Sequence, residues 1–216
     1  MAAGLAVVLW LAACGQPPGS SPSTTSVPAA DRGVAVNPAR IDRVRLELPA
    51  DYEVADISGL AAPAALWGFG ARWIADPAPC ATLADPVANG STPRGWSGSG
   101  SGGIVHAVVS EAPAFDPAVL DQCAQWTLSA GHTSGIVTLL AAPAIADAAT
   151  VGMATAATTV VEGGTETRSH ADTFIAYLGE YVSFVTVVTD PGSPNPPLGP
   201  EFAAGLLVEA VAALRG

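Results

Sequence analysis

Lysine is absent from this 216-residue sequence, and eight arginines face nineteen acidic residues, for a formal charge of −11. Without basic stripes the chain has no electrostatic hold on a phosphate backbone or on anionic lipid head groups, which argues against nucleic acid as a partner. Charge of either sign is sparse. Only 12% of residues are charged while half are hydrophobic, a balance too apolar for disorder and sufficient for one sizeable core. The missing lysine, beside so much Ala, Gly and Pro, reflects the coding bias of a GC-rich genome and carries no functional weight. Cysteines number three, with no Cys-x-x-Cys to suggest a redox motif. The histidines, His106, His132 and His170, are also three, and none has the His-x-x-x-His or His-Glu-x-x-His spacing that zinc needs. No serine lies in a Gly-x-Ser-x-Gly nucleophile elbow. Neither a metal nor an organic cofactor is expected, and no catalytic residue is assigned, although a triad assembled in space has no linear signature.

A long apolar run is lacking too. Leu5 to Ala13 stops at Gly15-Gln16-Pro17-Pro18, short of the roughly 20 residues a transmembrane helix requires. What stands there instead is Leu11-Ala12-Ala13-Cys14, the form of a bacterial lipobox, in which the cysteine receives a diacylglycerol and the preceding peptide is removed. Residues 1–13 are therefore expected to be a lipoprotein signal peptide and Cys14 the lipidated first residue of the mature chain. No Lys or Arg precedes the apolar run, so the positive n-region is reduced to the amino group. Several acyl chains on one cysteine, palmitate among them, meet the two-signal requirement for stable anchoring. The expected location is the outer, extracytoplasmic face of a cell membrane.

Residues 14–35 carry the lipidated cysteine and then a Pro/Ser/Thr-rich stretch that cannot bury enough apolar surface to order itself, hence a tether. A single domain is expected over 36–216. With Cys14 committed to lipid, Cys80 and Cys123 read as a disulfide in an oxidising compartment, against the alternative of two buried thiols.

Alternation predicts strands at Ile41–Leu48, Tyr52–Ile57, Phe69–Ile74 and Ile104–Val109, with a short Ala-rich helix ending near Trp67 and one or two helical turns over Pro79–Ala84. Residues 89–103, dense in Gly and Ser, read as a mobile hairpin loop. Gly98, Gly100 and Gly103 fit G-x-G-x-x-G, but a strand follows them and no helix N-terminus is available for a pyrophosphate. Asp116 followed by Pro117 is an N-cap and N1 pair opening a helix. Further strands are expected from Trp126 to Leu140, and Gly163-Gly164 joins two β-type runs, Val151–Glu162 and Thr165–Tyr177, as a hairpin. Tyr181–Thr189 adds a deeply buried strand, and Glu201–Leu214 closes the chain as an amphipathic helix. The fold class is α+β: a twisted, mainly antiparallel sheet with a few packed helices, one of them C-terminal.

Two features carry candidate binding chemistry. In an extended Thr165–Asp172, the residues Glu166, Arg168, His170 and Asp172 share one strand face. That face lines a polar cleft, or supplies His170 and Asp172 to a metal, or is a solvated hairpin face whose cross-strand pairs are worth about a few tenths of a kcal/mol. Among the tryptophans, Trp67 and Trp73 lie in apolar runs and read as core. Trp96, beside the Gly/Ser segment, is the candidate ligand-facing aromatic.

The runs Leu66-Trp67-Gly68-Phe69, Ser97-Gly98-Ser99-Gly100, Asp121-Gln122-Cys123-Ala124-Gln125-Trp126 and Glu162-Gly163-Gly164-Thr165-Glu166-Thr167-Arg168 resemble those of a mycobacterial lipoprotein family of unknown function. That family is similar to the extracellular sensor domain of the kinase PknH. The resemblance spans about residues 36–216 and implies an α+β domain with a twisted antiparallel sheet and a cleft for a ligand, without catalytic residues. The chain departs from the kinase sensor in having cysteines for one internal disulfide where that domain has two, and in lacking a kinase. The function expected is a lipid-anchored, non-enzymatic small-molecule or lipid-binding module, sensor-like in form. The competing classes are an envelope hydrolase and a structural or protein-interaction lipoprotein.

Overall fold

Two runs in the last quarter of the chain, 171–178 and 182–187, are buried at every position. Side chains alternate along a strand, so unbroken burial means that both faces of the sheet are covered at its centre. The computed structural model describes Met1, residues 35–57, Gly59 and residues 61–216. Met1 aside, the expected signal peptide, Cys14 and all but the last residue of the expected tether fall outside the described residues. No helix among the described residues is long and apolar enough to cross a membrane.

The described residues form one nine-stranded antiparallel sheet: β1 (Glu53–Asp56), β2 (Ile74–Asp76), β3 (Arg94–Gly100), β4 (Gly103–Glu111), β5 (Gln125–Ala130), β6 (Thr133–Leu140), β7 (Ala149–Val160), β8 (Glu166–Leu178) and β9 (Tyr181–Thr189). Their spatial order is β1-β3-β4-β9-β8-β7-β6-β5-β2. The five strands β5 to β9 run as a meander whose last strand docks on the β3–β4 hairpin, and the short strands β1 and β2 finish the two edges. With helices before, between and after the strands, the α+β class follows directly.

Each face has its own cover. One face lies under α3 (Pro200–Arg215) and the 3₁₀ segment Pro38–Glu47. Ala203, Leu206, Leu207, Ala210, Val211 and Leu214 of α3 pack on Phe174, Ala176, Val185 and Val187, and each fully buried Leu or Val contributes about 1.5–3 kcal/mol. The opposite face is covered by short pieces: α1 (Pro63–Leu66), the 3₁₀ turn Ala78–Cys80 with α2 (Ala81–Ala84), and the crossing segment that contains the 3₁₀ helix Pro117–Gln122. Trp67, at the end of α1, donates its indole N–H to Thr173 Oγ1 at 2.9 Å, and Thr173 pairs with Thr186 at 2.9 Å. Cys80 and Cys123 form a disulfide, both cysteines wholly buried, with Cα atoms 5.7 Å apart. The bridge joins the two largest of these short pieces.

Three segments depart from the alternation pattern. Ile41–Leu48 is not a strand: Asn37 caps the 3₁₀ segment by accepting from Ala39 N, Pro38 opens it, and Ile41 and Val44, three apart, are the buried pair. Leu46, which the alternation placed inward, is 87% exposed. In Phe69–Ile74 the alternation is broken by a left-handed Arg72 (φ 69°), so the strand starts only at Ile74. Residues 94–100 of the Gly/Ser segment are ordered strand β3. A Cβ at Gly98 would come within 2.6 Å of Leu48 Cδ1, and one at Gly102 within 2.8 Å of the Tyr52 hydroxyl. The glycines make room for side chains that lie flat upon the strand, a use of glycine that composition alone reads as a loop.

The disulfide closes a sequence separation of 43 residues and holds together a cover made of pieces too short to fold by themselves. Reducing it, or replacing both Cys80 and Cys123 by Ser, is expected to lower the unfolding free energy by about 3–4 kcal/mol. The check is the urea midpoint with and without reductant; an unchanged midpoint would show that the short segments hold this face unaided.

Candidate functional site

The crossing segment leaves β4, passes under the edge of α2 and returns to the sheet at β5, and it does not close the gap completely. Between the α2 region and this segment lies a cavity of about 330 Å³ lined by Pro79, Thr82, Asp85 and Pro86 on one side and by Pro113, Ala114, Phe115, Asp116, Val119 and Gln122 on the other, with Tyr177 of β8 as its floor. Phe115 stacks on Tyr177, ring centroids 4.2 Å apart and planes 16° from parallel. Pro79 and Gln122 neighbour the bridged cysteines, so the disulfide fixes the separation of the walls.

The polar groups of this cavity are few and distinct in state. Tyr177 is nearly buried, and burial raises its hydroxyl well above the usual range, so the group remains a protonated donor at physiological pH. Asp85 ends α2 at the rim; partial loss of hydration raises its carboxyl, and the backbone N–H of Val87 offsets part of that rise. Asp116 caps the 3₁₀ helix by accepting from Ala118 N at 3.0 Å. No ion pair involves Asp85 or Asp116 among the described residues, and neither Arg nor His lines the cavity. A smaller cavity of about 180 Å³ lies on the other side of Asp85, beside Phe69 and Trp73. A trough of about 550 Å³ runs along the β3–β4 turn and the 190–197 loop, but its walls are mainly Gly, Ser and Pro, and Asp190 there is spent on Gly192 N at 2.7 Å.

The sequence-predicted residues lie elsewhere. Glu166, Arg168, His170 and Asp172 do share one face of β8, as the two-residue spacing requires. Arg168 reaches Glu166 at 3.4 Å on the exposed hairpin, and His170 Nε2 lies 3.1 Å from Asp172, which is buried. The hydrogen bond to Asp172 raises His170, and burial opposes the rise. None of the four lines these cavities. Trp96 is fully buried beneath Ile41, its indole N–H donating to the Ile41 carbonyl at 3.0 Å; it is a core residue, placed inward because its strand partner Ala107 faces the α3 cover. Phe115, Tyr177 and Asp85 had no signal in the sequence beyond residue type.

No hydroxyl is hydrogen bonded to a histidine among the described residues, and no group of three His, Cys, Asp or Glu side chains there is arranged to hold a metal ion. His106 stands across from Ser97 and Thr186 on the face of the short segments. Its Nδ1 is enclosed without a partner among the described residues, and burial pushes the imidazole down to about 4. The unfolded chain takes up this proton near 6.5 and the folded one only near 4, so His106 costs stability as pH falls through that window, at most about 3 kcal/mol. His170 acts in the opposite sense: its contribution is complete below the unfolded value and is lost as pH rises through its raised folded value. The variant His106→Leu is expected to flatten the fall of the urea midpoint between pH 6.5 and 4.5, and an identical pH slope in both proteins would show that His106 does not carry it.

Two comparisons bear on kinship. A structure of an uncharacterised protein from Mycobacterium smegmatis, described as the Rv0999 ortholog, superimposes with a TM-score of 0.63 at 22% identity, covering 84% of this chain and 98% of that one. At that identity the likeness shows the fold. No curated protein matches the chain. The match to a domain of unknown function, DUF5642, extends over residues 37–215, and the chain belongs to that family.

Proposed function

We propose that the chain is a lipid-anchored extracytoplasmic lipoprotein whose folded domain is a non-enzymatic, sensor-like binding module for a small molecule. The observation that carries the binding reading is the cavity floored by Tyr177: about 330 Å³, walled by three prolines, Phe115 and Val119, with a few convergent polar groups. That is the composition of a small-ligand site, an apolar wall that supplies affinity and sparse polar groups that set orientation. The lipobox ending at Cys14 supports the anchor, and the Cys80–Cys123 disulfide supports an oxidising compartment outside the cytoplasm.

The reading favours binding over hydrolysis because no hydroxyl in the cavity is hydrogen bonded to a base among the described residues: the Thr82 hydroxyl donates to Pro79 O at 3.0 Å, and burial keeps the Tyr177 hydroxyl protonated. Native mass spectrometry of the chain purified from a lipoprotein-processing bacterium is expected to show a bound small molecule, absent from an Ala114→Trp variant whose indole fills the cavity. A bare mass for the wild-type chain, together with no retention of apolar fragments, would sink the binding reading. Labelling with an alkyne-bearing palmitate is expected to mark the wild-type chain and not Cys14→Ser, which is released into the soluble fraction. Equal labelling of both would remove the anchor.

A further inference from the structure

The cavity beside the disulfide has an uneven chemistry. Its charged groups are both carboxylates, Asp85 and Asp116, and neither is in an ion pair among the described residues. Its aromatic surface is the Phe115–Tyr177 stack, and the remaining wall is mainly proline and aliphatic. The chain has no lysine, and none of the described arginines lines this cavity. Both carboxylates belong to exposed residues at the rim; an apolar ligand gains nothing from them and an anionic one is repelled. A cation gains twice, from the carboxylates and from the electron-rich ring faces, the combination by which proteins hold quaternary ammonium groups.

We infer that this cavity takes an amphipathic organic cation, an ammonium or quaternary ammonium group attached to an apolar body. The inference rests on the binding reading proposed above and adds the ligand class. The apolar body lies against Pro79, Pro113 and Val119, and the cationic end meets Asp85 at the rim. The Tyr177 hydroxyl, having no protein partner among the described residues, is left to a polar atom of the ligand. The rigid walls on either side of Cys80 and Cys123 mean that little ordering is needed when the ligand enters.

The test is calorimetric titration of the purified full-length chain with three probes of equal chain length: hexyltrimethylammonium, hexan-1-ol and hexanoate. The cation is expected to bind at least about tenfold more tightly than the alcohol, with hexanoate weakest, and its advantage is expected to shrink as salt is raised. Asp85→Asn is expected to bring the cation down to the level of the alcohol and leave the alcohol unchanged. Asp116→Ser, which keeps an N-cap hydroxyl and removes the charge, is expected to weaken the cation by a few-fold; near-UV dichroism verifies that both variants are folded. Equal binding of cation and alcohol, each abolished by Ala114→Trp, would overturn the ligand class and keep the binding site. Failure of all three probes, or binding insensitive to Ala114→Trp, would overturn the cavity as a binding site altogether.

Discussion

A sheet whose central strands are apolar on both faces must be covered twice, and that constraint orders the rest of this molecule. Ile175, Tyr177, Val182 and Phe184 face one way, and Phe174, Ala176, Val185 and Val187 the other, with none of them left to solvent. Leaving either face open would expose an apolar surface far larger than a soluble domain tolerates. The two covers solve the problem differently. Helix α3 covers one face with a single continuous stripe of six buried residues. The other face is tiled by pieces of three to six residues, none long enough to be stable alone.

The tiled face depends on cross-links between its short pieces and the strands beneath them. The Trp67 indole N–H reaches Thr173, and Thr173 reaches Thr186, so a hydrogen-bonded chain pins α1 to two adjacent strands. The disulfide pins α2 to the crossing segment. Tiles meet at seams, and the cavity at Phe115 and Tyr177 is such a seam, held open by prolines that resist collapse and fixed in width by the bridge. The α3 face, closed by one helix and the Pro38–Glu47 segment, carries instead the Glu166–Asp172 ladder at its margin, where His170 is half exposed and its partner Asp172 is buried. In this fold the cavity proposed to bind a ligand follows from the way each face is covered more than from any motif.

Much of the architecture was legible in the chain. Thr- and Val-rich runs with Gly163-Gly164 between the first two marked β7, β8 and β9, the Asp116-Pro117 pair marked a helical start, the 3.6-residue spacing from Phe202 to Leu214 marked α3, and the count of cysteines marked the bridge. The misreadings share a cause. Ile41–Leu48 has an alternating pattern, yet the Asn37 cap and Pro38 favour a helical start and its buried pair repeats every three residues; the local pattern was compatible with both. Residues 89 to 103 read as a loop because composition cannot show that Leu48 and Tyr52 lie across Gly98, Gly100 and Gly102. Trp96 was judged by its flexible-looking neighbours, whereas its partner Ala107 and the overlying Ile41 decide its burial.

The sequence by itself determined the class of fold, the single cross-link and the two-residue ladder on β8, because these depend on periodicity and counting along one chain. It also carries Leu11-Ala12-Ala13-Cys14, the linear pattern on which the proposed lipid anchor rests. Only the tertiary structure decided that Asp85, Phe115, Asp116 and Tyr177 meet around one cavity. They come from three segments that the sheet order and the disulfide bring together, and proximity of that kind has no period and no spacing to be read in advance.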